Sequence, residues 1–195
     1  LLESFDTILF GPGCSISDYT YQVLHYIIEH WNKPAIIDAD GLNSLSQHPD
    51  LLKKLVGKPF VLTPHWGEFC RLAKIDLQAL EQDCLSELKD FVEAYHLKVL
   101  LKSHTSIYYD SKTMYVNTNG NDGLATGGSG DILSGLIAGF LAQNLDFGLA
   151  AGSAAFYLGR TAEKLAEIQP AFSITPSDIL DNIFIYDLED EQDEN

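Results

Sequence analysis

The chain predicts an α/β fold in which a mostly parallel sheet is flanked by helices on both faces and carries a late antiparallel hairpin. Three observations predict it. Short apolar runs recur at residues 7–10 (TILF), 35–37 (AII), 60–62 (FVL) and 99–102 (VLLK), as expected of buried strands. Segments with apolar residues at helical spacing separate them. Two further β-like runs, 106–109 and 114–117, are joined by Asp110-Ser111-Lys112-Thr113 and read as a hairpin at one edge.

In chain order, the first run ends at Gly11-Pro12-Gly13. Residues 17–31 then place Tyr19, Val23, Leu24, Ile27, Ile28 and Trp31 on one helical face, with Ser17 as the N-cap. Pro34 precedes the second strand. Residues 41–55 read as helix interrupted near Pro49, and the third strand is closed by Thr63-Pro64. Residues 66–73 and 84–96 are predicted helices before the fourth strand and the hairpin. The last helices are predicted at 129–143, 149–166 and 177–183. With no internal linker or repeat, residues 1–186 are expected to form one domain, and residues 187–195, with six acids and no base, a disordered tail.

The bulk numbers exclude several classes. A net charge of −16 disfavours nucleic acid, whose phosphates reward Lys and Arg. Cys14, Cys70 and Cys84 have no paired spacing, so they suit a reducing compartment and neither a disulfide framework nor a zinc site. No apolar run approaches membrane-spanning length, because the longest candidate is cut by Ser134, Gly135 and Gly139. The opening has no basic n-region.

The polar clusters fall after the predicted strands, where ligands bind in such sheets. Gly127-Gly128-Ser129-Gly130-Asp131 runs straight into an apolar helix. Its backbone N–H groups and the helix dipole suit an anion such as a transferring phosphate, and Asp131 suits removal of a hydroxyl proton. A tight turn with a dipole-complementing Asp is the plainer alternative. The loop is neither a Walker A sequence, lacking its Lys, nor GxGxxG. In Thr63-Pro64-His65-Trp66-Gly67-Glu68, His65 can contact a ligand and Glu68 can hold a water on Mg²⁺. Equally, Thr63 can cap a helix that Pro64 begins and whose dipole Glu68 faces. Asp38 and Asn43 suggest a polar floor, and Asp40 a cap or Asx turn. Lys102, Ser103, His104, Thr105 and Ser106 form either a nucleotide-phosphate loop or a solvated turn. Gly11-Pro12-Gly13 is a turn or a point of close ligand approach.

Taken together these residues resemble the NAD(P)H-hydrate dehydratase family. The segment NGNDGLATGGSGDILSGLIAGFLAQ is its strongest part, and IIDADGLN, VLTPHWGEF and FGPG match further motifs in order. The resemblance implies a ribokinase-like fold and repair of the C6 hydrate of NADH or NADPH, driven by ATP or ADP with Mg²⁺. It implies Asp131 as base, with Gly128 and Gly130 at the transferring phosphoryl group. Gly13, His65 and Asn43 would lie at the hydrate, and Lys102, Ser103, His104, Thr105, Ser106 and Gly130 at the adenine nucleotide, with Glu68 ordering Mg²⁺ through water. A cytoplasmic homo-oligomer is implied, with an epimerase domain fused or supplied separately upstream. Three positions depart from the family pattern: Trp66 where Pro is usual, Ser103 where Gly is usual, and Asp122 where Pro or a small residue is common. The family also has a region before FGPG with another glycine-rich segment, so the N-terminal part of the domain is expected to be absent here.

Overall fold

A computed structural model of the chain describes residues 4–183; the acidic tail lies outside the described residues. Six strands form one sheet in the order β1 (Ile8–Phe10), β2 (Ala35–Ile37), β3 (Phe60–Leu62), β4 (Lys98–Leu101), β5 (Ser106–Tyr109), β6 (Met114–Asn117). The first four are mutually parallel, with Phe10 level with Ile37 and Ile37 with Leu62. β5 and β6 continue the sheet antiparallel, and Leu100 faces Tyr108 across the β4–β5 junction.

Strand alternation explains the two layers. Ala35, Ile37, Phe60, Leu62, Val99 and Leu101 point to one face. There they meet α1 (Asp18–His30), α2 (Ala39–Gln47), α3 (Pro49–Lys54), α4 (Trp66–Ala73), α5 (Leu77–Gln82) and α6 (Cys84–Tyr95). Ile36, Val61, Leu100 and Tyr108 point the other way, onto α7 (Ser129–Ala142), α8 (Phe147–Ile168) and α9 (Pro176–Asn182). Both faces are covered, so the central strands are apolar throughout.

The predicted helices at 17–31, 66–73, 84–96, 129–143, 149–166 and 177–183 agree with the structure to within about two residues at each end, the usual uncertainty of helix boundaries. Four details differ. The broken helix begins at Ala39, capped by Asp38, and Pro49 starts α3 as its first residue. β4 ends at Leu101, leaving Lys102 in an isolated bridge to His65. α5 was not anticipated: it has six residues and one buried side chain, Leu80, too little to show a period. Two short 3-10 turns, Asp122–Leu124 and Ala171–Ser173, also escape the sequence pattern.

Parallel strands put the ends of β1 to β4 on one rim. Gly11, Asp38, Thr63 and Lys102 therefore converge there although scattered through the sequence.

Candidate active site

Asp38 and Lys102 anchor the rim. Asp38 is 1% exposed and caps α2, accepting from the Ala39 N–H at 2.9 Å. Lys102 donates from Nζ to Asp38 Oδ1 at 2.7 Å, and the buried Ser134 hydroxyl of α7 donates to Oδ2. The pair thus ties β4, α2 and α7 together. Gly11 permits it: φ is +127°, and a Cβ there would lie 1.8 Å from the Asp38 carbonyl oxygen. Asp40 accepts from the Ser15 N–H at 2.8 Å and so pins the loop containing Gly13, whose φ is +67°.

The start of α7 is open. Gly128 is its N-cap with φ +103°, and no side chain caps the helix. By contrast α1, α6 and α8 are each capped, by Ser17, Asp83 and Asp146. A Cβ on Gly128 would meet Pro176 Cγ at 3.0 Å, so the turn needs glycine in space as well as in φ. Gly130 packs beside Lys102, its Cβ position 3.5 Å from Nζ. Asp131 follows in the first turn and is exposed. The helix's positive end and a lysine ammonium therefore meet at one place, with the exposed Asp131 carboxylate in the same turn.

α4 begins differently. His65, not Thr63, is its N-cap. His65 Nδ1 accepts from the Gly67 and Glu68 N–H groups at 3.0 and 3.4 Å, and Glu68 Oε2 accepts from the His65 N–H at 2.8 Å. This reciprocal box satisfies the helix start. Pro64 stays outside the helix, because its carbonyl accepts from the Lys102 N–H at 2.7 Å and joins the rim. Glu68 Oε1 lies 3.6 Å from His65 Nε2. The His65 side chain is otherwise open to solvent, at 56% exposure.

Between these two helix starts runs a cleft of about 720 Å³, within the size range of small-molecule sites. It is lined by His65, by Lys102, Ser103, His104, Thr105 and Ser106, by residues 117–122, and by Ser129 and Gly130. A smaller recess of about 170 Å³ adjoins it, bordered by Tyr115 and Phe156. Gly13, Asn43, Glu68, Gly128 and Asp131 are not among the lining residues. Asn43 Oδ1 instead accepts from Arg71 Nε and Nη2 at 3.1 and 2.9 Å.

The far wall, residues 117–122, is held by α8. Glu163 accepts from the Gly120 N–H at 2.9 Å and from Asn119, and Arg160 pairs with it at 3.4 Å. Burial works to raise the Glu163 pKa, but these partners outweigh it and hold it below the usual carboxylate range. Asn121 donates to the Ala162 carbonyl at 2.7 Å. Gly159 allows this docking, because a Cβ there would lie 2.4 Å from the Asn119 carbonyl oxygen. Sequence reading missed Ser134, Glu163 and Gly159 as supports of the site. Their partners are up to 96 residues away, beyond any local pattern.

Comparison with known proteins decides the family. A family model for NAD(P)H-hydrate dehydratase matches residues 1–184. The chain belongs to that family. It is 34% identical over 181 residues to the bifunctional NAD(P)H-hydrate repair enzyme Nnr of Moorella thermoacetica, covering 92% of this chain and 34% of that enzyme. The chain thus spans about a third of the length of that relative. A ribokinase-like superfamily protein from Enterococcus faecalis superposes with a TM-score of 0.79 at 29% identity, over 95% of this chain and 63% of that one. The ADP/ATP-dependent NAD(P)H-hydrate dehydratase of Bacillus subtilis, co-crystallised with ATP and Mg²⁺ and soaked with CoA, gives 0.80 at 25% identity, over 94% and 66%. The fold is therefore ribokinase-like, as the sequence predicts.

Proposed function

We propose that this chain dehydrates the C6 hydrate of NADH or NADPH back to the reduced cofactor, at the expense of ATP or ADP. The observation that carries the reading is the uncapped start of α7, where Gly130 packs beside Lys102 on the wall of a nucleotide-sized cleft and Asp131 follows in the same first turn. Family membership and the Bacillus subtilis structure support it.

Hydroxide is a poor leaving group, so the hydroxyl is first phosphorylated. Asp131 takes the C6 hydroxyl proton as its oxygen attacks the terminal phosphoryl group. The N–H groups of Gly128–Gly130 and the α7 dipole stabilise charge on the phosphoryl oxygens. Phosphate then leaves from C6, pushed by the ring-nitrogen lone pair. Loss of the C5 proton restores the dihydronicotinamide. Lys102, Ser103, His104, Thr105 and Ser106 hold the nucleotide, and Gly13, His65 and Asn43 border the hydrate. Glu68 is buried, with Oε2 in the α4 cap and Oε1 facing His65; it would order Mg²⁺ through a water, since that ion keeps several waters in its shell. The magnesium would neutralise phosphate charge. We place the protein in the cytoplasm, working as a homo-oligomer on hydrate equilibrated by an epimerase. Among the described residues no helix is long and apolar enough to cross a membrane.

The test is recovery of NADH absorbance from NADH hydrate with Mg²⁺ and ATP or ADP. Asp131→Asn should lower turnover by ~10²–10⁴ while ATP still binds. Full turnover in that variant, or accumulation of a stable phosphorylated hydrate, would contradict the reading.

A further inference from the structure

One polar group at the α7 start has no use in the fold. Ser129 is 6% exposed, and its Oγ is buried without a hydrogen-bond partner. Burying an unpaired hydroxyl is unfavourable. The residue lines the cleft as the first residue of α7, between Gly128 and Gly130. Its own N–H reaches only the Thr126 carbonyl, at 3.4 Å. A Ser side chain often repays its place near a helix start by capping, yet α7 has no side-chain cap. The neighbouring buried serine of the same helix, Ser134, is satisfied by Asp38, so burial on α7 does not by itself leave a hydroxyl unpaired.

We infer that the Ser129 hydroxyl is a binding group for the terminal phosphoryl of the bound nucleotide. It turns about χ1 out of its buried position to donate alongside the backbone N–H groups, and its partner arrives with the ligand. A phosphoryl oxygen is an anionic acceptor, and a hydrogen bond to a charged group is among the stronger kinds. The hydroxyl keeps its proton throughout, so Asp131 remains the base. This inference rests on the nucleotide-dependent reading above, and it adds a contact that contributes to the nucleotide's phosphate end and nothing to its adenosine end.

The test compares Ser129→Ala and Ser129→Thr with the wild-type chain in three measurements. These are thermal midpoint without ligand, calorimetric affinity for Mg·ATP and for AMP, and kcat for NADH recovery. In Ser129→Ala the midpoint should hold or rise, because an unpaired buried hydroxyl is removed. Mg·ATP affinity or kcat should fall roughly 10- to 100-fold, with AMP affinity unchanged. Ser129→Thr, which restores a hydroxyl, should recover most of the loss. A fall in midpoint for Ser129→Ala would mean a structural partner and would overturn the inference. So would equal weakening of ATP and AMP, or wild-type ATP affinity and kcat together. The ATP-to-AMP comparison needs no turnover, so it decides the role of Ser129 even if NADH recovery fails and the proposed reaction falls.

Discussion

Two helices begin at the rim of the cleft, and they begin in opposite ways. At α4 the first N–H groups are taken up by His65 Nδ1, and the His65 N–H by Glu68. At α7 the cap is a glycine with φ +103° and no side chain closes the turn. A helix start sealed by its own residues is a stability device. One left open over a cleft, with a lysine beside it, keeps its donors and its dipole for an anion. Both lie at the carboxyl ends of parallel strands, so position alone does not distinguish them; the fate of the N–H groups does.

The most disruptive way to break this contrast is to remove the cation beside α7. Lys102→Met leaves Asp38 buried without its ion-pair partner and should destabilise the chain by about 3 kcal/mol. Urea unfolding would show this, and Mg·ATP affinity should fall with it. Stability equal to wild type would mean that the pair does not hold the rim together. A smaller change isolates α4. His65→Ala removes a cap and should cost about 1 kcal/mol, the usual value for such losses. Calorimetry should find nucleotide affinity essentially unchanged, whereas a large loss would show that the α4 start also serves the phosphates.

The smallest effect concerns the opposite wall. Against the effect of burial, the Gly120 N–H, Asn119 and Arg160 hold the folded pKa of Glu163 below that of a free glutamate. The Glu163 clamp on Gly120 is therefore present above the pKa of an unfolded glutamate and is lost as pH falls on through the lower folded pKa. Glu163→Gln should flatten this part of the acid-unfolding curve while changing little in the first turn of α7. An unaltered acid limb in Glu163→Gln would remove Glu163 from the account of the wall.

How much of this was legible in the sequence differs between the two helix starts. Gly128 announces a special turn, because few other residues tolerate its φ of +103°. The α4 start misleads: the sequence offers Thr63 as cap and Pro64 as the first helical residue, but the cap falls to His65 because the Pro64 carbonyl is drawn into the bridge with Lys102. The strands at 35–37 and 60–62 and the hairpin at 106–117 were readable from apolar runs and turn residues. The Asp38–Lys102 pair was not, since 64 residues separate its members and only the parallel sheet brings them together. The orphaned Ser129 hydroxyl was invisible for a related reason. A sequence records that a donor exists, and only packing shows that nothing in the fold uses it.

The central claim is that the open helix start, and not the sealed one, receives the phosphoryl group. Backbone amide NMR during titration with Mg·ATP tests it most directly. The account predicts large shifts for the Ser129, Gly130 and Asp131 N–H resonances and little change at Gly67 and Glu68. Shifts concentrated at Gly67 and Glu68, with the α7 amides unmoved, would contradict it.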